Sequence, residues 1–158
     1  MYTDISKIKE TSLTIPKGEF YYFLKDGRLC IYDTDFLIIY NMDTFKERLR
    51  INSKTFLREK EIDGFINDWD ELVCLTELNN GYLVLGLGRG YDLTNLIIDI
   101  KGNEPKLIKT IEINNDDFCC RNLITINLGK KEYFIAGDDN PEIYKAKEPF
   151  NKVDSNKR

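Results

Sequence analysis

The chain has 158 residues, a length that fits one domain able to bury a core. An apolar fraction of 42% excludes an unstructured polar chain. The 27 acids against 23 bases leave a net charge of −4, which argues against a general nucleic-acid binder, and the absence of histidine removes the commonest general base, the usual catalytic triads and most zinc sites.

In chain order, Ile5–Glu10 reads as a helical turn, and Leu13 and Ile15 alternate as a short strand stopped by Pro16. Strands are then expected near Phe20–Leu24, Arg28–Asp33, Phe36–Met42 and Glu47–Asn52. Asp26-Gly27 between the first two is a hairpin signal of type I′, a turn that needs positive φ at both central residues. A polar, mixed-charge link over 53–70 follows. Four more strands are expected near Leu72–Leu78, Tyr82–Leu87, Asn95–Ile100 and Lys106–Ile113, with Asn80-Gly81 marking the first turn and Lys101–Pro105 a loop. Three more fall near Asn122–Leu128, Glu132–Gly137 and Glu142–Lys145, with a fourth that is missing or weak before the polar tail Asn151–Arg158.

The pattern repeats. The units run over approximately 20–52, 71–113 and 121–150, each an antiparallel meander, and the leucines that open the first turn, Leu24, Leu78 and Leu128, are spaced 54 and 50 residues apart, close to the period of propeller blades. The fold expected is all-β, repeated four-stranded meanders forming about three blades of a partial or assembled β-propeller, within one domain over 1–158. A single barrel or sandwich of eleven or twelve strands is the alternative. No segment approaches the roughly 18 apolar residues of a membrane span. Met1–Lys7 holds no apolar signal core. Cys30, Cys74, Cys119 and Cys120 have neither disulfide-scaffold nor zinc spacing and read as reduced thiols, most of them in apolar runs. A cytoplasmic protein is expected.

Gly27–Asp33 followed by Phe36–Asn41, and Tyr82–Gly90 followed by Asn95–Ile100, resemble the middle of a WD-repeat blade. The resemblance covers nearly the whole chain. It departs from the family in having no Gly-His pair, and in carrying Tyr40-Asn41, Ile98-Asp99 and Tyr144-Lys145 where the Trp-Asp pair stands, so the family's Asp–His–Ser–Trp hydrogen-bond tetrad cannot form. What the resemblance implies is a non-enzymatic scaffold or adaptor that binds a protein or peptide on a loop face. Closed propellers have about four to eight blades. Three therefore belong to a longer polypeptide or assemble with a second copy, as a homodimer completing a six-bladed ring in which the strand Leu13–Ile15 of one copy completes the third blade of the other.

Propeller geometry sends the loops between second and third strands, and those between blades, to one face. Besides Asp63, Glu71 and the link bases Lys54, Arg58 and Lys60, that face collects the acids Asp33, Asp35, Asp68, Asp70, Asp116, Asp117, Asp138 and Asp139 together with Trp69, the single tryptophan. An aromatic flanked by acids is a site for a basic side chain, so these nine residues are the candidate partner-binding set, against the plain reading that aspartate populates turns. The opposite face collects Lys25, Arg28, Lys46, Lys101, Lys106, Lys130 and Lys131, with Asp26, Asp43 and Glu104 as exceptions.

Gly86-Leu87-Gly88-Arg89-Gly90 is a glycine-rich hairpin rather than a dinucleotide fingerprint, because a strand and not a helix follows it. Asp33-Thr34-Asp35 and Asp138-Asp139-Asn140 do not continue into a calcium loop. No catalytic residue, metal site or cofactor is expected, and neither nucleic acid nor membrane is an expected partner. The competing reading is a ligand-binding or hydrolytic propeller with an acidic funnel, which requires a pocket of clustered carboxylates with at least one raised pKa.

Overall fold

The computed structural model describes residues 17–33, 36–52, 72–89, 92–113, 122–137 and 141–154. These residues form three antiparallel sheets and no helix. Sheet one contains β1 (Phe20–Phe23), β2 (Leu29–Asp33), β3 (Phe36–Asn41) and β4 (Lys46–Asn52) in sequence order. Sheet two contains β5 (Leu72–Glu77), β6 (Tyr82–Arg89), β7 (Asp92–Asp99) and β8 (Lys106–Ile113), and sheet three β9 (Leu123–Leu128), β10 (Lys131–Ala136) and β11 (Glu142–Lys145). The expected all-β architecture of repeated meanders is the observed one, with β7 starting a few residues before the expected Asn95.

The middle sheet shows why its strands read as continuous apolar runs. Successive strand residues point to opposite faces, and both faces of sheet two are covered. Leu83, Leu85, Leu96 and Ile98 join Cys30, Tyr32, Leu37 and Ile39 of sheet one in one core. Val84 and Ile97, which lie between them in sequence, join Phe134, Ala136 and Tyr144 of sheet three in a second core. Each side chain buried this fully contributes roughly 1.5–3 kcal/mol, so the two inter-sheet layers carry the fold. Where sheets two and three meet, their first strands come together: β5 approaches β9 across the second layer.

The hairpin chemistry differs from the expectation in a way that Gly27 explains. Gly27 has φ +86° but Asp26 is not in the left-handed region. Gly27 donates its N–H to the Leu24 carbonyl at 2.9 Å, and Leu24 donates to the Arg28 carbonyl at 2.8 Å. That is a three-residue loop, a type I turn closed by a glycine bulge, and not type I′. Leu78 and Gly81 repeat it with two bonds of 2.9 Å, one from Leu78 N–H to Tyr82 and one from Gly81 N–H to Leu78. The third turn is tighter, since Leu128 pairs directly with Lys131. Only Gly129 of its two central residues has positive φ (+63°), the signature of type II′.

The fourth strand of sheet three is rudimentary. After β11 the chain turns back and makes one bridge, Tyr144 to Lys152, flanked by N–H bonds from Lys145 to Asn151 and from Val153 to Ile143. The outer faces of the two flanking sheets differ. On sheet one, Leu29, Ile31, Ile38 and Tyr40 form a small buried cluster, with Tyr21 and Phe23 exposed beside it. On sheet three, Ile124, Leu128 and Ile143 are exposed. The strand Leu13–Ile15 lies outside the described residues.

Candidate functional site

Of the nine acidic-face residues, Asp33 is described: it ends β2, is exposed, and pairs in register with Phe36. Its charge helps to keep Arg50 protonated, behind the larger effect of the hydrogen bond from Arg50 to Glu47. Asp35, Asp68, Trp69, Asp70, Asp116, Asp117, Asp138 and Asp139 lie outside the described residues. So do Cys119 and Cys120; Cys30 is buried and Cys74 half-buried, and neither is in a disulfide.

The described structure builds its site at the other end of the sheets, where the first–second and third–fourth turns emerge. Polar bonds tie neighbouring sheets together there. The buried Glu77 carboxylate accepts the Lys25 backbone N–H at 2.6 Å, and Lys25 Nζ donates to Asn79 Oδ1 at 2.7 Å. Arg28, held by Asp26 at 2.7 Å, reaches across to the Ile100 carbonyl at 3.2 Å. One sheet further on the arrangement recurs: both Glu132 oxygens accept the Asn79 N–H at 2.9 Å, and Asn79 Nδ2 donates to Asn127 at 2.9 Å. Lys25 and Asn79 each follow the leucine that opens a turn, so two successive interfaces use the same backbone donor.

Between the turns of sheets two and three these bonds frame an open cleft of about 740 Å³. Half-buried Tyr82 and buried Ala146 give it apolar lining. Lys130 and Lys131 enter from the β9–β10 turn, and Lys145 and Lys147 from the end of β11, which the register of Tyr133 with Lys145 brings alongside. Among the described residues none of these four ammonium groups is in an ion pair. Two described carboxylates line the cleft, Glu132 and Glu148, and Glu132 is occupied by Asn79. Lys101 Nζ stands 5.1 Å from the Tyr82 ring centroid, a cation–π contact at the rim. Burial, then the charges of Asp99 and Glu148, raise the Tyr82 hydroxyl pKa, so it is a neutral donor at physiological pH.

Carboxylates with resolved shifts elsewhere move downward. On Glu142, burial acts upward, but hydrogen bonds from Lys152 and Tyr144 and the Lys152 charge outweigh it. Glu47 is lowered first by its hydrogen bond from Arg50. Both are held ionised, the opposite of a general acid. No group of three or more Cys, Asp or Glu positioned for a metal ion occurs among the described residues. Among the described residues no helix is long and apolar enough to cross a membrane.

Three antiparallel meanders stacked face to face have a counterpart among solved structures. The chain is similar to the WD40 domain of SCAP from fission yeast, with a TM-score of 0.52 and 14% identity over 90% of this chain and 33% of that one. The fold is WD40-like. The three sheets are thus blades, and the chain spans about a third of that structure's length. No protein-family model matches the sequence, and no curated protein sequence matches it. The lysines of the cleft stand in the sequence as Lys130-Lys131 and Lys145-Ala146-Lys147, but only blade packing brings Tyr82 and Asn79 beside them.

Proposed function

We propose that this chain is a non-enzymatic protein-interaction module, a scaffold or adaptor of WD40-like type that holds a protein or peptide partner on the loop-bearing ends of its blades. The observation that supports it best is the cleft between blades two and three: its walls are turns fixed to one another by the Glu132–Asn79 bonds, so a partner meets a preformed surface and little ordering cost is added on binding. The opposite end, with Asp33 exposed, is the second surface this reading offers, to a basic partner. A photo-crosslinking amino acid placed at Lys130 in one protein and at Asp33 in another tests both ends. The expected result is a discrete adduct with one protein of a cell extract, competed by excess unaltered chain. Folded proteins that yield no competable adduct from either position refute the interaction role.

A further inference from the structure

We propose that the lysine cleft between blades two and three binds an extended acidic peptide, its carboxylates on the rim ammonium groups and an apolar or aromatic side chain against Tyr82. This rests on the interaction-module reading and names the partner chemistry for one of its surfaces. The chain is net acidic, at −4, yet this cleft gathers four lysines with no ion-pair partner among the described residues. Of the described carboxylates that line the cleft, Glu132 already accepts the Asn79 N–H with both oxygens, which leaves the four lysines in excess over Glu148.

All four lysines belong to the blade-three wall of the cleft. Lys130 and Lys131 sit at the β9–β10 turn, and Lys145 and Lys147 at the end of the adjacent β11, so an extended segment in the cleft meets a continuous positive edge along that wall. Lys101, placed over Tyr82, extends the positive edge toward blade two. The lining favours a peptide over a bare inorganic anion, since half-buried Tyr82 and buried Ala146 offer apolar surface that a phosphate cannot use. A strongly basic, deep groove with several stacked rings is what single-stranded nucleic acid needs. This cleft offers Tyr82 and Tyr133, and Glu148 is among its lining residues.

The test is a fluorescence-anisotropy titration of the full chain with a labelled peptide of aspartate and glutamate around one phenylalanine. Saturable binding that weakens between roughly 50 and 300 mM salt is expected. Lys130→Glu with Lys147→Glu is expected to weaken binding by about tenfold or more, while Lys17→Glu with Lys46→Glu, an equal charge change away from the cleft, leaves it within about twofold. Lys130→Ala with Lys147→Ala gives the intermediate value and guards against an effect of the introduced acids on folding, which far-ultraviolet circular dichroism checks. A flat titration overturns the assignment, as does equal weakening in the two double reversals, which means diffuse attraction. An unlabelled single-stranded oligonucleotide of equal charge that displaces the peptide at lower concentration than unlabelled peptide also overturns it. Adducts from the crosslinking experiment in the face of a flat titration leave the interaction role standing and remove only the acidic peptide.

Discussion

Asn95 is the polar residue whose surroundings make the sharpest stability prediction. It lies on β7, 1% exposed, on the face of blade two that looks toward blade three. Its register partner on β6 is Gly86, which in turn pairs with Cys74 on β5. Neither Nδ2 nor Oδ1 of Asn95 has a hydrogen-bond partner among the described residues. Leaving a buried donor and acceptor unmade costs about 1–3 kcal/mol. Valine removes both polar atoms, suits a strand through its branched Cβ, and keeps the layer apolar. Asn95→Val is therefore expected to stabilise the chain by about 1–2 kcal/mol, or roughly 2–8 °C in melting temperature for a chain of this size. Urea unfolding followed by tyrosine and tryptophan fluorescence should show a higher midpoint with an unchanged slope. Asn95→Asp puts an unpaired charge in the same place and should destabilise it by about 3 kcal/mol or more. If both variants lower the midpoint at constant slope, the Asn95 amide is satisfied in solution and carries no such cost.

Other consequences follow from the same structure. Cys30 is fully buried and its thiol is pushed up to about 12 by burial, eased by Arg28 and reinforced by Glu77; Ellman's reagent at pH 8 should react with it only after denaturation, and because a raised acid stabilises below its unfolded value, its contribution is complete at neutral pH and declines only as alkaline pH rises toward about 12. Glu142 has a depressed folded pKa, so its contribution is present above the ordinary value of 4.5 and lost as pH falls through the lower folded one; Glu142→Gln should flatten the acid side of a stability–pH curve and leave high-pH behaviour alone. A Cβ on Gly86 would stand 2.4 Å from Cys74 Sγ, so Gly86→Ala should cost about 1–3 kcal/mol, and adding Cys74→Ala should recover part of it in a double-mutant cycle. Ring closure by two copies should double the 18.5 kDa mass in light scattering, with Leu128→Lys restoring the single-chain value; a single-chain mass for the unaltered protein removes the ring.

The strands were legible because burial on both faces writes itself into the sequence. Leu83-Val84-Leu85 and Leu96-Ile97-Ile98 have no polar alternation, and alternate members divide between two cores. The turns were legible in place but not in type: Asp-Gly serves both a type I′ turn and a glycine-bulge loop, and Asp26 decides between them by bonding the N–H and Nε of Arg28 at 3.1 and 2.7 Å. The return strand after β11 was faint because its register rests on backbone bonds of polar residues, Asn151 and Lys152, which carry no apolar pattern. The cleft was hidden for a different reason. Its lysines looked like solvated turn residues, and the partners that make them a site, Asn79 and Tyr82, come from about fifty positions earlier through blade packing.

The absent WD tetrad leaves these blades without the family's buried hydrogen-bond network, and the Glu77–Lys25 and Glu132–Asn79 bonds supply a tie of another kind. Both place a carboxylate from one blade on the first N–H after the turn leucine of the blade before it. A carboxylate accepting a backbone N–H forms a charge-assisted bond, stronger than a neutral one. The same bond turns acidic groups inward at the turn end while the lysines of those turns stay exposed. Inter-blade cohesion and surface charge are thus set by one arrangement. Glu132→Gln separates the two: it should loosen the turn of blade two, because the amide is a weaker acceptor, and strengthen attraction for an acidic probe, because a negative charge leaves the cleft. Tighter peptide binding together with lower stability in that variant is the joint result this arrangement requires, and a change in only one of them would show that staple and cleft are independent.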